Sequence, residues 1–120
     1  VSLTPEEFAA ERARLNERVL GTNHRVIKRL YSLDTLTYED GALPKATKEL
    51  LGLVASLVLR CDDCVRYHLG RAVELGVTRD ELVDALSVGL VVGGTIVVPH
   101  LRRAVDYLDR LLDSASAARR

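Results

Sequence analysis

Apolar residues in this chain recur every three or four positions, and that spacing predicts a run of amphipathic helices. Thr4-Pro5-Glu6-Glu7 opens the first. Thr4 is placed to cap it, Pro5 suits the first helical position, and Glu7 completes a capping box. Phe8, Arg12, Leu15 and Val19 continue the stretch to Leu20-Gly21, and a second helix covers His24 to about Leu36, with Val26, Ile27, Leu30, Tyr31 and Leu33 on its apolar side. A polar loop from Thr37 to Ala42 leads to Leu43-Pro44, with Pro44 in the first turn of a third helix through Ala46, Leu50, Leu53, Val54, Leu57 and Val58. The fourth begins near Cys61 or Asp62 and stops at Leu75-Gly76, with the glycine in the C′ position. A second capping box, Thr78 to Glu81, starts the fifth, which Gly93-Gly94 breaks. The last runs from Thr95 to about Asp113.

No segment sustains period-two alternation. The β-branched run Val91-Val92 and Ile96-Val97-Val98 is expected to be two buried helix ends meeting at a glycine turn. The predicted fold is all-α: one domain of about six helices. Residues 1–42 form an N-terminal helical segment, 43–113 a core that holds both cysteines, and 114–120 a small polar tail expected to fray.

Composition narrows the function classes. With 120 residues, 48% of them apolar and 28% charged, the chain can build a core, and disorder is disfavoured. Seventeen basic residues balance seventeen acidic ones, which argues against nucleic acid as a partner, since that binding rests on phosphate neutralisation. The longest apolar run, Val88 to Pro99, is too short to cross a bilayer and is broken by glycine. The first residues lack the pattern of a signal peptide, so a cytoplasmic setting is expected. In that compartment a persistent structural disulfide is improbable, and a CxxC pair points to redox or metal chemistry.

Both cysteines lie in one stretch, Cys61-Asp62-Asp63-Cys64-Val65-Arg66-Tyr67-His68. On a helix, Cys61, Cys64 and His68 fall within roughly 60° of arc, on one face. The thiolate is the reactive form of cysteine, so an imidazole nearby has work to do. Cys64, one turn before His68, is favoured as the base-activated thiol, with Cys61 as its resolving partner. The reverse remains open, because Cys61 lies nearest the helix N-terminus, where the macrodipole lowers a thiol pKa. Zinc is an alternative: Cys61, Cys64 and His68 supply three ligands, and a fourth would come from Asp62, Asp63, Glu49 or another subunit. Haem attachment fails because Val65 stands where a histidine is required. There is no flavin or nucleotide motif either. Glu49 shares a face with Leu53 and Leu57. Periodicity alone makes it a half-exposed partner of Lys45 or Lys48, since burying it would be costly. His24 is expected to cap or decorate a helix, and His100 has no nucleophile near it in sequence.

Leu43-Pro44, Lys48-Glu49-Leu50, the Cys61 to His68 stretch, and the run through Ala72, Gly76, Val77-Thr78 and Glu81-Leu82 resemble the carboxymuconolactone decarboxylase superfamily, and within it the alkylhydroperoxidase D-like branch. The likeness covers roughly residues 43 to 112. It implies an all-helical fold assembled as a homo-oligomer, trimer or hexamer, and a thiol-dependent peroxidase or disulfide reductase. By resemblance, Glu49 is a relay carboxylate, Cys64 the activated thiol, His68 the proton shuttle and Cys61 the second redox thiol. The implied partners are a hydroperoxide and an external dithiol reductant or disulfide-bearing protein, with no bound cofactor, metal, nucleic acid or membrane. Asp63 stands where that branch often has a histidine, and an acidic neighbour disfavours a thiolate. The decarboxylase branch generally lacks the cysteine pair. A lyase using Glu49 and His68, or a non-catalytic metal-binding or redox-sensing oligomer, are the alternative functions.

Overall fold

The computed structural model describes residues 3–119. It contains α1 (Pro5–Gly21), α2 (Arg25–Thr37), α3 (Lys45–Val58), α4 (Asp62–Glu74), α5 (Arg79–Gly93) and α6 (Val98–Ala118), with a 3-10 turn (Thr95–Val97) leading into α6. No strand occurs among the described residues. Both predicted capping boxes form: the Thr4 hydroxyl accepts from Glu7 N and the Thr78 hydroxyl from Glu81 N, while each glutamate reaches back to the cap residue's N–H. Gly76 takes φ +85° after α4, a conformation that other residues rarely adopt. Pro44 is the N-cap of α3 and lies just outside its first turn.

The core sits where α3 packs on α4 and α5 and α6 closes over α4 and α5. Leu53 and Leu57 of α3 meet Leu69 of α4, Leu82 and Leu86 of α5 and Leu108 of α6, all fully buried. Each such leucine contributes about 1.5–3 kcal/mol of hydrophobic stabilisation. Gly89 permits the close crossing of α5 on α3: a Cβ there would stand 2.9 Å from Leu57 Cδ2. α1 adds Phe8, whose ring meets Tyr107 edge-on at 5.9 Å.

The apolar stripe predicted on α2 forms but stays uncovered, and two other expectations need correction. No residue of α2 is buried, and Val26, Leu30, Leu33 and Leu36 are 58–65% exposed. Their spacing is helical, but within this chain the stripe has little to pack on beyond α1. Val91, Val92 and Ile96 are exposed, and only Val97 of that run is buried. Apolar character makes a residue suited to burial but does not aim it, and the turn at Gly94 directs Val97 inward alone. Finally, Ser114–Ala118, expected to fray, continue α6 as helix. Val1, Ser2 and Arg120, on which part of the signal-peptide and tail readings fell, lie outside the described residues.

Candidate active site

The junction of α3 and α4 fixes the first cysteine from both sides. Arg60 takes φ +60°, the left-handed conformation that ends a helix, and α3 closes in a Schellman motif. Arg60 N donates to Leu57 O and Cys61 N to Ser56 O, each at 3.0 Å. Cys61 is at once the N-cap of α4, its sulfur accepting from Cys64 N at 3.3 Å. The two cysteines, with Cα atoms 5.3 Å apart, are disulfide-bonded, which is the oxidised form of a CxxC pair. Cys64 is exposed and Cys61 half-buried.

One turn further along α4, His68 is 8% exposed and turns toward α3. Its Nδ1 lies 2.7 Å from Oε2 of Glu49, which is only 2% exposed. A carboxylate buried this deeply is tolerated only with partners, and His68 is the close one. The Arg71 guanidinium stands 4.0 Å from the other carboxylate oxygen. Glu49 is therefore not the half-exposed partner of Lys45 or Lys48 that periodicity suggests. Lys48 instead donates to the carbonyls of Thr37, at 2.9 Å, and Glu39, at 2.7 Å. With Nδ1 engaged by the carboxylate, Nε2 is the ring nitrogen left to exchange protons.

Cys64 and His68 open on one cleft of about 380 Å³. Phe8, Leu15 and Tyr67 give it an apolar wall, while Arg12, Asp34 and Asp63 add charge. The Arg12 guanidinium lies 3.9 Å from the Tyr67 ring centroid, a cation–π contact that seals α1 onto α4. Asp63 pairs with Arg66 at 3.0 Å, so part of its negative charge is met by a cation. Among the described residues no group of three or more His, Cys, Asp or Glu is arranged to hold a metal ion.

A second carboxylate–imidazole pair lies at the start of α4. Asp62 Oδ1 is 2.7 Å from His100 Nδ1, and its Oδ2 accepts from Arg103 Nε at 2.8 Å. Burial pushes the Asp62 carboxyl up, but hydrogen bonds from His100 and Arg103 outweigh it and hold the group below its usual range. His100, without a partner in the sequence reading, thus ties α6 to the residue beside Cys61. His24 caps α2 through its ring nitrogen, which accepts from Val26 N at 3.2 Å.

Sequence reasoning also passed over Tyr38 and Gly52. The Tyr38 and Tyr67 rings each stand 5.4 Å from the His68 ring. Gly52, facing them from α3, has no room for a side chain: a Cβ would come within 3 Å of Tyr38 Oη and of His68 Cε1 and Nε2. A glycine inside an otherwise apolar helix was the signal that something approaches there.

Residues 25–107 match the carboxymuconolactone decarboxylase family. An uncharacterized protein of Cupriavidus necator is 34% identical over 73 residues, spanning 61% of this chain and 65% of its own length. An uncharacterized cox-locus protein of Paracoccus denitrificans is 28% identical over 67% of this chain and 72% of its own. Among solved structures, a Thermotoga maritima protein is 50% identical, with a TM-score of 0.91 over 93% of this chain and 98% of its own. A second crystal structure of that protein, with a TM-score of 0.88 over 92% of this chain and 94% of its own, describes it as a family member with a possible involvement in an antioxidative response. A Legionella pneumophila family member at 22% identity shares the fold, with a TM-score of 0.81 over 89% of this chain and 96% of its own.

Proposed function

The chain belongs to the carboxymuconolactone decarboxylase family, and on that premise we propose that it is a thiol-dependent peroxidase or disulfide reductase that cycles Cys61 and Cys64. One observation carries the reading. The more exposed cysteine of a redox-capable pair shares a cleft with a histidine whose far nitrogen rests on a buried carboxylate. The description of the Thermotoga maritima neighbour points the same way. A lyase needs no cysteine pair, so the disulfide at the cleft favours thiol chemistry over decarboxylation.

The cycle starts from the dithiol. His68 takes the Cys64 proton, and the thiolate attacks the terminal oxygen of a hydroperoxide. An S–O bond forms as the O–O bond breaks, and the departing alkoxide takes the proton back from His68 and leaves as an alcohol. The Cys64 sulfenic acid is then attacked by the Cys61 thiol, which gives the disulfide and releases water. An external dithiol restores the pair by exchange, leaving as a disulfide after supplying two electrons and two protons. Glu49 holds the imidazole in register throughout. For a disulfide-bearing partner the last step runs in reverse.

The test is consumption of cumene hydroperoxide with a dithiol reductant, comparing wild type with Cys64→Ser. Turnover that vanishes in the variant supports the reading. A wild type without turnover while its thiols are free rejects the peroxidase half of it.

The same proposal includes a homo-oligomer in the cytoplasm. The exposed stripe on α2 and the exposed Val91, Val92 and Ile96 are apolar faces that a second copy would cover. Among the described residues no helix is long and apolar enough to cross a membrane. Light scattering should give a mass above 13.2 kDa, lowered by Leu30→Glu, and a monomeric wild type would reject the assembly.

A further inference from the structure

A hollow of about 510 Å³ lies on the other side of α1 from the cleft, between α1, α4 and α6. The helical period divides α1 between the two spaces. Leu15 lines the cleft and Ala9 and Ala13 the hollow, while Phe8 and Arg12, one turn apart, line both. Tyr67 of α4 is the third residue the two spaces share. These three side chains form the partition between them, and they are not held alike. Phe8, the one buried residue of α1, packs edge-on against Tyr107. Arg12 is exposed, meets the Tyr67 ring centroid at 3.9 Å and, among the described residues, forms no ion pair, so a swing of its side chain opens the partition.

Gly70, inside α4, lines the floor of the hollow. Glycine weakens a helix interior relative to alanine, and two other helix glycines of this chain are required by packing. A Cβ on Gly52 or on Gly89 would come within 3 Å of a neighbour. A Cβ on Gly70 would meet nothing within 4 Å, and the residue does not take a positive φ. Nothing inside the chain needs this glycine, so the room above it is room for a guest. The lining there is apolar between charges that are already paired. Val73 and Leu111 join Ala9 and Ala13, while Arg66 is met by Asp63 and Arg71 by Glu74. With both α4 arginines answered, the surface suits a hydrocarbon.

Building on the thiol reading of the cleft, we propose that cleft and hollow are one divided substrate site, made for a hydroperoxide with a linear apolar tail. The peroxide end lies at Cys64 and His68, and the tail passes under α1 beside Arg12 to lie over Gly70. Arg12 is thereby a specificity-determining residue, the boundary between substrates that stay in the cleft and those that extend past it. Gly70 lies six residues beyond Cys64 on α4, about 9 Å of helix rise, so only a tail of comparable length gains from the hollow. A short branched hydroperoxide fills the cleft alone.

The experiment follows N-ethylmaleimide and N-octylmaleimide adding to Cys64 in the fully reduced protein, with the adduct located by peptide mass spectrometry. The readout is the octyl-to-ethyl rate ratio, normalised to the same two reagents on a small free thiol. Wild type is expected to show a ratio of about ten or more, and filling the hollow with Gly70→Leu to bring it to about one, as burial of part of the added methylenes predicts. Ala13→Leu fills the same hollow from α1, should also lower the ratio, and decides the matter if Gly70→Leu does not fold. A wild-type ratio near that of the free thiol overturns the proposal, and so does a raised ratio that a folded filling variant leaves unchanged. The reagents need no peroxide, so this result is separate from that of the peroxidase reading. Where hydroperoxides are turned over, Gly70→Leu should lower kcat/KM for a linear long-chain hydroperoxide relative to tert-butyl hydroperoxide, and a loss shared equally by both overturns the proposal. Absence of turnover with either rejects the peroxidase reading alone and leaves the reagent ratio to decide this one.

Discussion

Glu49 meets His68 and Asp62 meets His100 at the same 2.7 Å, in surroundings that could hardly differ more. The first pair is sealed between α3 and α4, below a cleft that a cysteine shares. The second lies half-exposed between the start of α4 and α6, with Arg103 as a third member. Distance alone would make both of them relays. What separates them is which cations compete for the carboxylate and whether the imidazole reaches the sulfur's side of the molecule. In the second pair an arginine already answers the carboxylate charge, which suits a strap between helices. In the first, the histidine is the close partner and the arginine stands off at 4.0 Å, which suits a base that must gain and lose a proton.

The largest effect should come from breaking the buried pair. Glu49→Gln is expected to lower peroxide turnover about a hundredfold or more, the usual reach of a positioned acid–base group. In urea denaturation, Glu49→Ala should cost about 1–3 kcal/mol because it leaves the His68 Nδ1 without its acceptor. Breaking the exposed pair should act on stability instead. Asp62→Asn is expected to keep turnover within about threefold of wild type and to cost roughly 1 kcal/mol, as partly exposed ion pairs do.

That stability cost has a direction in pH. The Asp62 carboxyl lies below its ordinary 3.8 in the folded chain. The pair therefore stabilises in full above that value, and the contribution disappears as pH falls through the lower folded one. Wild type and Asp62→Asn should accordingly differ at neutral pH and converge in acid, followed by denaturant midpoints. A gap that persists into strong acid would remove the ion pair as its cause. The third histidine supplies the smallest effect. His24→Ala should leave turnover unchanged and cost about 0.5–1 kcal/mol in thermal unfolding, the loss of one cap.

The same contrast shows what a sequence discloses. Caps and period are local, so both capping boxes, the stop at Gly76 and the one-turn spacing of Cys64 and His68 on α4 could be read from neighbours in the chain, whereas Cys61 stands outside the helix as its N-cap. Glu49 could be assigned a role only by resemblance. Its competitors Lys45 and Lys48 are near in sequence, whereas His68 is nineteen positions away on another helix. The pairing of Asp62 with His100 spans thirty-eight residues and left no periodic trace. The exposed end of α5 misled for a related reason. Apolarity records that a surface is to be covered and is silent on whether this chain or another covers it.

Side-by-side turnover of cumene hydroperoxide by Glu49→Gln and Asp62→Asn, each folded and fully reduced at the outset, tests the division of labour most directly. Collapse of turnover in the first with near wild-type turnover in the second is the predicted result. Equal losses in the two, or a greater loss in Asp62→Asn, would contradict it and move the proton chemistry to the α4–α6 strap.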